Sequence, residues 1–232
     1  MRVNNHLIEQ GRSTKAELIM PLPGETKDSF IKGLNNVLNS SASSVTIYTL
    51  MMLNGTEFKN PDFRKKYGYT GKFRIVPLNF GEYDDERIFD FEEVGISTKD
   101  MSFEEYLSLR AVALLVESLI NGKPFYEFFK YAKSYNIEAA DLIKTMYGNI
   151  DLASSNIQKI MNGFIEETKG ELWDTEEELV SHYKIDKNYQ KLRDGEVGGN
   201  LIYKYKSKNI VEAGIDWIDF FEDQVFNEIR SE

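Results

Sequence analysis

A strand, a helix and a second strand follow one another between Ala16 and Leu50, and no further strand precedes them. Ala16 to Met20 is a short apolar run closed by Pro21-Leu22-Pro23-Gly24, a turn in which Gly24 is free to take a positive φ. Glu25 and Thr26 fall where a helix N-cap and first turn belong, and Phe30, Ile31, Leu34, Val37 and Leu38 recur at helical spacing. Val45 to Leu50 is β-branched and aromatic, which suits a strand. Such a unit makes two parallel strands with a right-handed crossover, the repeat of a (β/α) barrel. Two parallel strands are not a stable sheet alone, because parallel sheets are covered on both faces and paired along their edges. Met1 to Lys15 adds only a short helical piece around Leu7 to Gln10. Residues 1–57 therefore read as the end of a partial (β/α) TIM-type barrel, within an α/β plus α chain.

Residues 58–101 read as a connecting segment. It holds a turn-rich stretch at Tyr67 to Gly71, a candidate strand from Lys72 to Leu78 around Pro77, and an extended stretch from Arg87 to Ile96. Residues 102–232 read as a helical C-terminal domain. Ser102-Phe103-Glu104-Glu105 is a capping box that opens a strongly apolar helix, and Asn121-Gly122 stops it near Ile120. Seven more helical stretches follow, one opened by Thr175 with Glu178 three residues on.

Composition narrows the function classes. The 232 residues are 41% hydrophobic and 13% aromatic, enough for a packed core, so disorder is not expected. A net charge of -10 opposes nucleic-acid phosphates, and the basic clusters Arg64-Lys65-Lys66 and Lys204 to Lys208 are too short to reverse that. No nucleic-acid partner is expected. No stretch approaches the roughly 18 apolar residues of a membrane span, and the N-terminus lacks the apolar core of a secretory signal, so a cytoplasmic location without membrane contact is the expectation. With no cysteine there is no disulfide framework and no thiolate zinc site. Asp84-Asp85-Glu86, Glu92-Glu93 and Glu176-Glu177-Glu178 lack the spacing of a calcium loop, and His6 and His182 belong to no motif.

Arg110 lies amid Phe103, Tyr106, Leu107, Leu109, Leu114 and Leu115, so its charge needs a carboxylate. Glu117, Glu92 or Glu93 is expected to supply it, in an ion pair that ties the helix to the middle segment. A substrate carboxylate is the alternative.

Glu17-Leu18-Ile19-Met20-Pro21-Leu22-Pro23-Gly24-Glu25-Thr26, followed by a helix, a strand and Asn54-Gly55-Thr56, resembles the cobalamin-binding-domain branch of the radical S-adenosylmethionine (radical SAM) superfamily. The similarity extends through Phe91-Glu92-Glu93, Thr98, Met101 to Tyr106, Arg110, Glu171-Leu172-Trp173 and Gly195 to Asn200, and so covers most of the chain. The resemblance implies that Glu17 accepts the ribose hydroxyls of S-adenosylmethionine and that Ile19 presses on its adenine. It further implies that the backbone near Leu50 and Met51 meets the adenine edge. The implied parent activity is radical chemistry or methyl transfer with S-adenosylmethionine, a [4Fe-4S] cluster and cobalamin. Two departures stand out. Pro21 replaces the family's usual glycine, and the CxxxCxxC motif that holds the cluster is absent because the chain has no cysteine. The chain is thus expected to be the C-terminal portion of such an enzyme, holding no cofactor and inactive alone, with the N-terminal half of the barrel as its partner in cis or in trans. Its alternatives are a non-catalytic helical interaction module and one half of a split enzyme.

Overall fold

The computed structural model describes residues 6, 7, 9–40 and 42–231, the last five by their backbone alone. Strand β1 (Lys15–Met20) pairs in parallel with β2 (Ser44–Thr49), in register from Lys15 opposite Ser44 to Met20 opposite Thr49. Helix α1 (Lys27–Leu38) makes the crossover. Its N-cap is Thr26, whose hydroxyl accepts from the Ser29 N–H while the Ser29 hydroxyl takes the Thr26 N–H. That reciprocal cap satisfies two of the helix's unpaired terminal donors. The helix turns Phe30, Ile31 and Leu34 onto the core. Alternation along the strands places Met20, Val45 and Ile47 on that same core and leaves Lys15, Glu17, Ile19 and Tyr48 on an open face.

The expected barrel end does not form. Among the described residues there are two separate two-stranded sheets, and no third parallel strand joins β1 and β2. The reason lies at the second edge of β2. Asn121 caps it there, accepting the Val45 N–H at 3.0 Å and donating to the Val45 carbonyl at 2.8 Å. Beyond the strand, the Gly95 N–H donates to the Leu50 carbonyl at 2.9 Å and the Met52 N–H to the Glu93 carbonyl at 2.8 Å. A side chain and an antiparallel hairpin thus occupy the edge along which a barrel would continue.

The segment expected to be a connection contains that hairpin. Helix α2 (Pro61–Tyr67), capped by Asn60, precedes β3 (Thr70–Tyr83), which pairs antiparallel with β4 (Glu86–Ser97). Asp84 and Asp85 form the turn, both at positive φ, 49° and 64°, as a tight hairpin with the right-handed strand twist requires. The register shifts between Ile75 and Phe80, so Pro77 falls at an irregularity where its missing N–H leaves no gap in the ladder.

Helix α3 (Phe103–Leu115) is buried on nearly every side, through Tyr106, Leu109 and Val112 to Leu115, and forms the axis of the molecule. A five-residue π-helical turn, Val116–Ile120, continues it. Helices α4 (Tyr126–Ser134), α5 (Ala139–Gly148), α6 (Ser155–Gly170), α7 (Glu176–Lys184), α8 (Asp186–Arg193), α9 (Leu201–Val211) and α10 (Gly214–Ser231) complete the chain. One core cluster runs from Met20, Phe30 and Val45 through α3 to Phe164, Trp217 and Phe221. Each large side chain buried there contributes about 1.5–3 kcal/mol. The hairpin sits apart from it, with Ile75 and Phe89 packed on Leu179, Tyr183, Tyr189 and Leu192 of α7 and α8. Among the described residues no helix is long and apolar enough to cross a membrane.

Candidate functional site

Where the open strand pair, the hairpin and the helical core meet lies a cavity of about 130 Å³. Thr46 to Thr49 of β2, Arg74, Ile75 and Pro77 of β3, Arg110 of α3, Glu117 of the π turn, Glu171 after α6, and the start of α9 from Gly199 to Tyr203 line it. A junction of several elements is a common place for a ligand pocket. The strand alternation that turns Val45 toward Asn121 turns the backbone of Ile47 to the same edge, toward the cavity.

Two arginines share the wall. Arg74 donates through Nε to Glu92 at 2.7 Å and through Nη1 to Glu171 at 3.0 Å. Burial pulls its pKa down, but the nearby Glu171 and Glu92 outweigh that and hold it above the ordinary arginine value. Arg110 is 5% exposed and makes no hydrogen bond or ion pair among the described residues; its Nε is wholly enclosed without a partner. Its guanidinium carbon lies 5.6 Å from the Phe164 ring centre, a cation–π contact. Burial, aided by the charge of Arg74, pushes its pKa below the ordinary value.

The expected partners of Arg110 are all engaged elsewhere. Glu92 goes to Arg74, and Glu93, itself buried, takes Lys59 at 2.6 Å and Arg64 at 2.8 Å. Glu117 lines the cavity but binds Lys206 Nζ at 2.7 Å and the Asn121 amide. The expected ion pair between α3 and the middle segment is absent among the described residues; the middle segment is tied instead to the loop after α6, through Arg74 and Glu171, and sequence reasoning passed over Arg74. Its alternation with Lys72 along β3, opposite Glu92 on β4, was the available signal. At the start of α9, Asn200 accepts the Tyr203 N–H, while the amides of Leu201 and Ile202 are first-turn donors without an intrahelical acceptor. The positive end of that helix faces the cavity.

The residues singled out for a nucleoside lie next to this pocket. Glu17 and Ile19, two apart on β1, share the open face with Tyr48, which also lines the cavity. Glu17 accepts from Lys15 Nζ at 2.9 Å and from the Tyr48 hydroxyl at 3.4 Å, and Lys15 holds its carboxyl below the usual range. Ile19 and Tyr48 are each 43% exposed. Leu50 is buried, and both its backbone groups are taken, the N–H by Met20 and the carbonyl by Gly95. Met51 lies between the two rungs to β4, so its own N–H and carbonyl turn outward, and its side chain is exposed. Glu25 sits inside the β1–α1 turn with Oε2 enclosed and unpartnered, and burial raises its pKa. No group of three or more metal-ligating side chains gathers among the described residues.

No protein-family model matches the chain, and no curated protein sequence matches it.

Proposed function

We propose that the chain is the nucleoside-facing portion of a cytoplasmic radical SAM enzyme, contributing the strand pair that takes S-adenosylmethionine. The observation that carries this reading is the shared open face of Glu17, Ile19 and Tyr48, with the free backbone of Met51 beyond it. An ionised carboxylate offers two acceptor oxygens to ribose hydroxyls, and the exposed isoleucine and tyrosine offer an apolar bed for a base. These groups fit a nucleoside. They do not fit a [4Fe-4S] cluster, since the chain has no thiolate, so no electron-transfer step is assigned to it. The cysteines belong to a partner segment, joined in cis or supplied in trans, and cobalamin to a region outside this chain. When bound, S-adenosylmethionine supplies the radical or the methyl group, while these residues bind and orient it.

A nuclear magnetic resonance titration with S-adenosylmethionine tests the assignment. We expect saturable shifts at Ile19, Tyr48 and Met51 with a dissociation constant of about 1 mM, equivalent to about 4 kcal/mol, as befits a face open on one side. Glu17→Ala should weaken binding about tenfold, and anaerobic reconstitution should load no iron. Absence of saturable shifts, or an unchanged affinity in Glu17→Ala, would remove the assignment.

The outer edge of β1 favours a second reading, a non-catalytic interaction module. Its unpaired backbone at Lys15, Glu17 and Ile19, beside exposed Leu22 and Leu53, is a template for an added strand. Fast amide exchange at Glu17 and Ile19 that slows on adding a candidate partner supports this module; exchange already slow in the isolated chain rules it out.

A further inference from the structure

We propose that the Arg110 cavity is a binding site for a small α-amino acid, whose carboxylate meets Arg110 and whose ammonium group meets Glu171. The site adjoins the nucleoside face at Tyr48 but does not depend on Glu17.

The guanidinium of Arg110 carries five N–H donors in a planar fork, and none makes a hydrogen bond among the described residues. Burying such a cation without a partner is costly, so the arrangement is complete only when an acceptor enters the cavity. A carboxylate matches that fork with two parallel hydrogen bonds. The first-turn amides of α9 and the β2 edge at Ile47 supply further donors on the same wall.

Charge selects among acceptors. The charged residues lining the cavity are Arg74 and Arg110 against Glu117 and Glu171, so positive and negative groups balance. Phosphate would place two negative charges beside Glu117 and Glu171 with nothing to offset the second. A zwitterion leaves the balance intact. Glu171 binds Arg74 through Oε1 only, and its Oε2 makes no hydrogen bond, leaving an acceptor for an ammonium group. Both oxygens of Glu117 are already occupied, and Glu92 does not line the cavity. A cavity of about 130 Å³ admits a molecule the size of alanine or serine and is too small to enclose a nucleotide.

Calorimetric titration of the whole chain with L-alanine, L-serine, L-lactate and inorganic phosphate at equal ionic strength tests this. We expect saturable binding of an amino acid, weaker binding of lactate, and phosphate at least about tenfold weaker than the amino acid. Arg110→Met should abolish binding and raise the melting temperature of the ligand-free protein, since it removes an unpaired buried charge at similar volume. Arg110→Lys keeps the charge without the fork and should not restore affinity. Glu171→Gln, which keeps a carbonyl for Arg74, should weaken the amino acid but not lactate. Glu17→Ala should leave all four affinities unchanged, which separates this site from the nucleoside face. The proposal is overturned if neither amino acid binds, if phosphate binds as tightly, or if Arg110→Met unfolds or destabilises the ligand-free chain, which would make Arg110 a structural residue.

Discussion

Arg74 and Arg110 line one cavity, Arg74 half-buried and Arg110 buried, yet the protein completes the first and leaves the second open. Arg74 belongs to the wall where hairpin meets the loop after α6, and two carboxylates close around it. Arg110 belongs to the axial helix, where its neighbours are Phe164 and the cavity itself. Their pKa values move in opposite directions, upward where Glu171 and Glu92 outweigh burial and downward where burial, with Arg74 beside it, outweighs Tyr106 and Glu171. A buried charge surrounded by its partners belongs to the fold. A buried charge whose potential partners have all been assigned elsewhere points to something outside the chain.

The contrast breaks most easily at Arg74. Arg74→Met leaves Glu92 and Glu171 facing each other in a poorly solvated wall, and we expect a loss of about 3–5 kcal/mol in a urea unfolding experiment. Asn121→Ala tests another completed group: it strips the Val45 N–H and carbonyl of their partner and frees the Glu117 carboxylate. A loss of about 2 kcal/mol is expected there. Arg110→Met should shift stability by about 1 kcal/mol in the other direction. Equal losses at Arg74 and Arg110 would erase the distinction between them.

How much of this could be read beforehand differs by region. The unit from Lys15 to Thr49 was legible because its apolar period switches from two to helical spacing and back, with the turn glycine Gly24 and the capping residue Thr26 marking the first change. What followed it was not. Whether two parallel strands continue into a barrel depends on what pairs with their edge, and the residues that block β2, Asn121 and the Glu93 to Gly95 stretch, are distant in sequence. Asp84-Asp85 drew attention as a carboxylate cluster, whereas its role is the positive-φ turn of a hairpin. Burial of Arg110 was legible from its neighbours along α3. Its lack of a partner was not, because each of the three nearby glutamates is a plausible counter-ion until Lys59, Arg64, Arg74 and Lys206 are placed.

The smallest expected effect concerns an ion pair at the opposite extreme, in water. Glu138, just ahead of α5, accepts from Lys133 on α4 and from the Asn39 amide at 2.8 Å, and both side chains of the ion pair remain well exposed. Lys133 first, and Asn39 second, hold the Glu138 carboxyl below its ordinary value. A depressed carboxylate contributes stability that is fully present above its unfolded pKa and is lost as the pH falls through the lower folded value. Glu138→Gln should therefore leave stability near neutral pH lower by a few tenths of a kcal/mol and flatten its decline on the acid side of the carboxylate range. In 1 M salt, where screening acts within about 3 Å, the difference between Glu138→Gln and the unmodified chain should nearly vanish. The Arg74 cluster, largely buried, should keep most of its effect under the same salt. If both effects shrink together, the Arg74 wall is wetter than its geometry indicates, and the case for Arg110 as an unsolvated, unpartnered cation weakens with it.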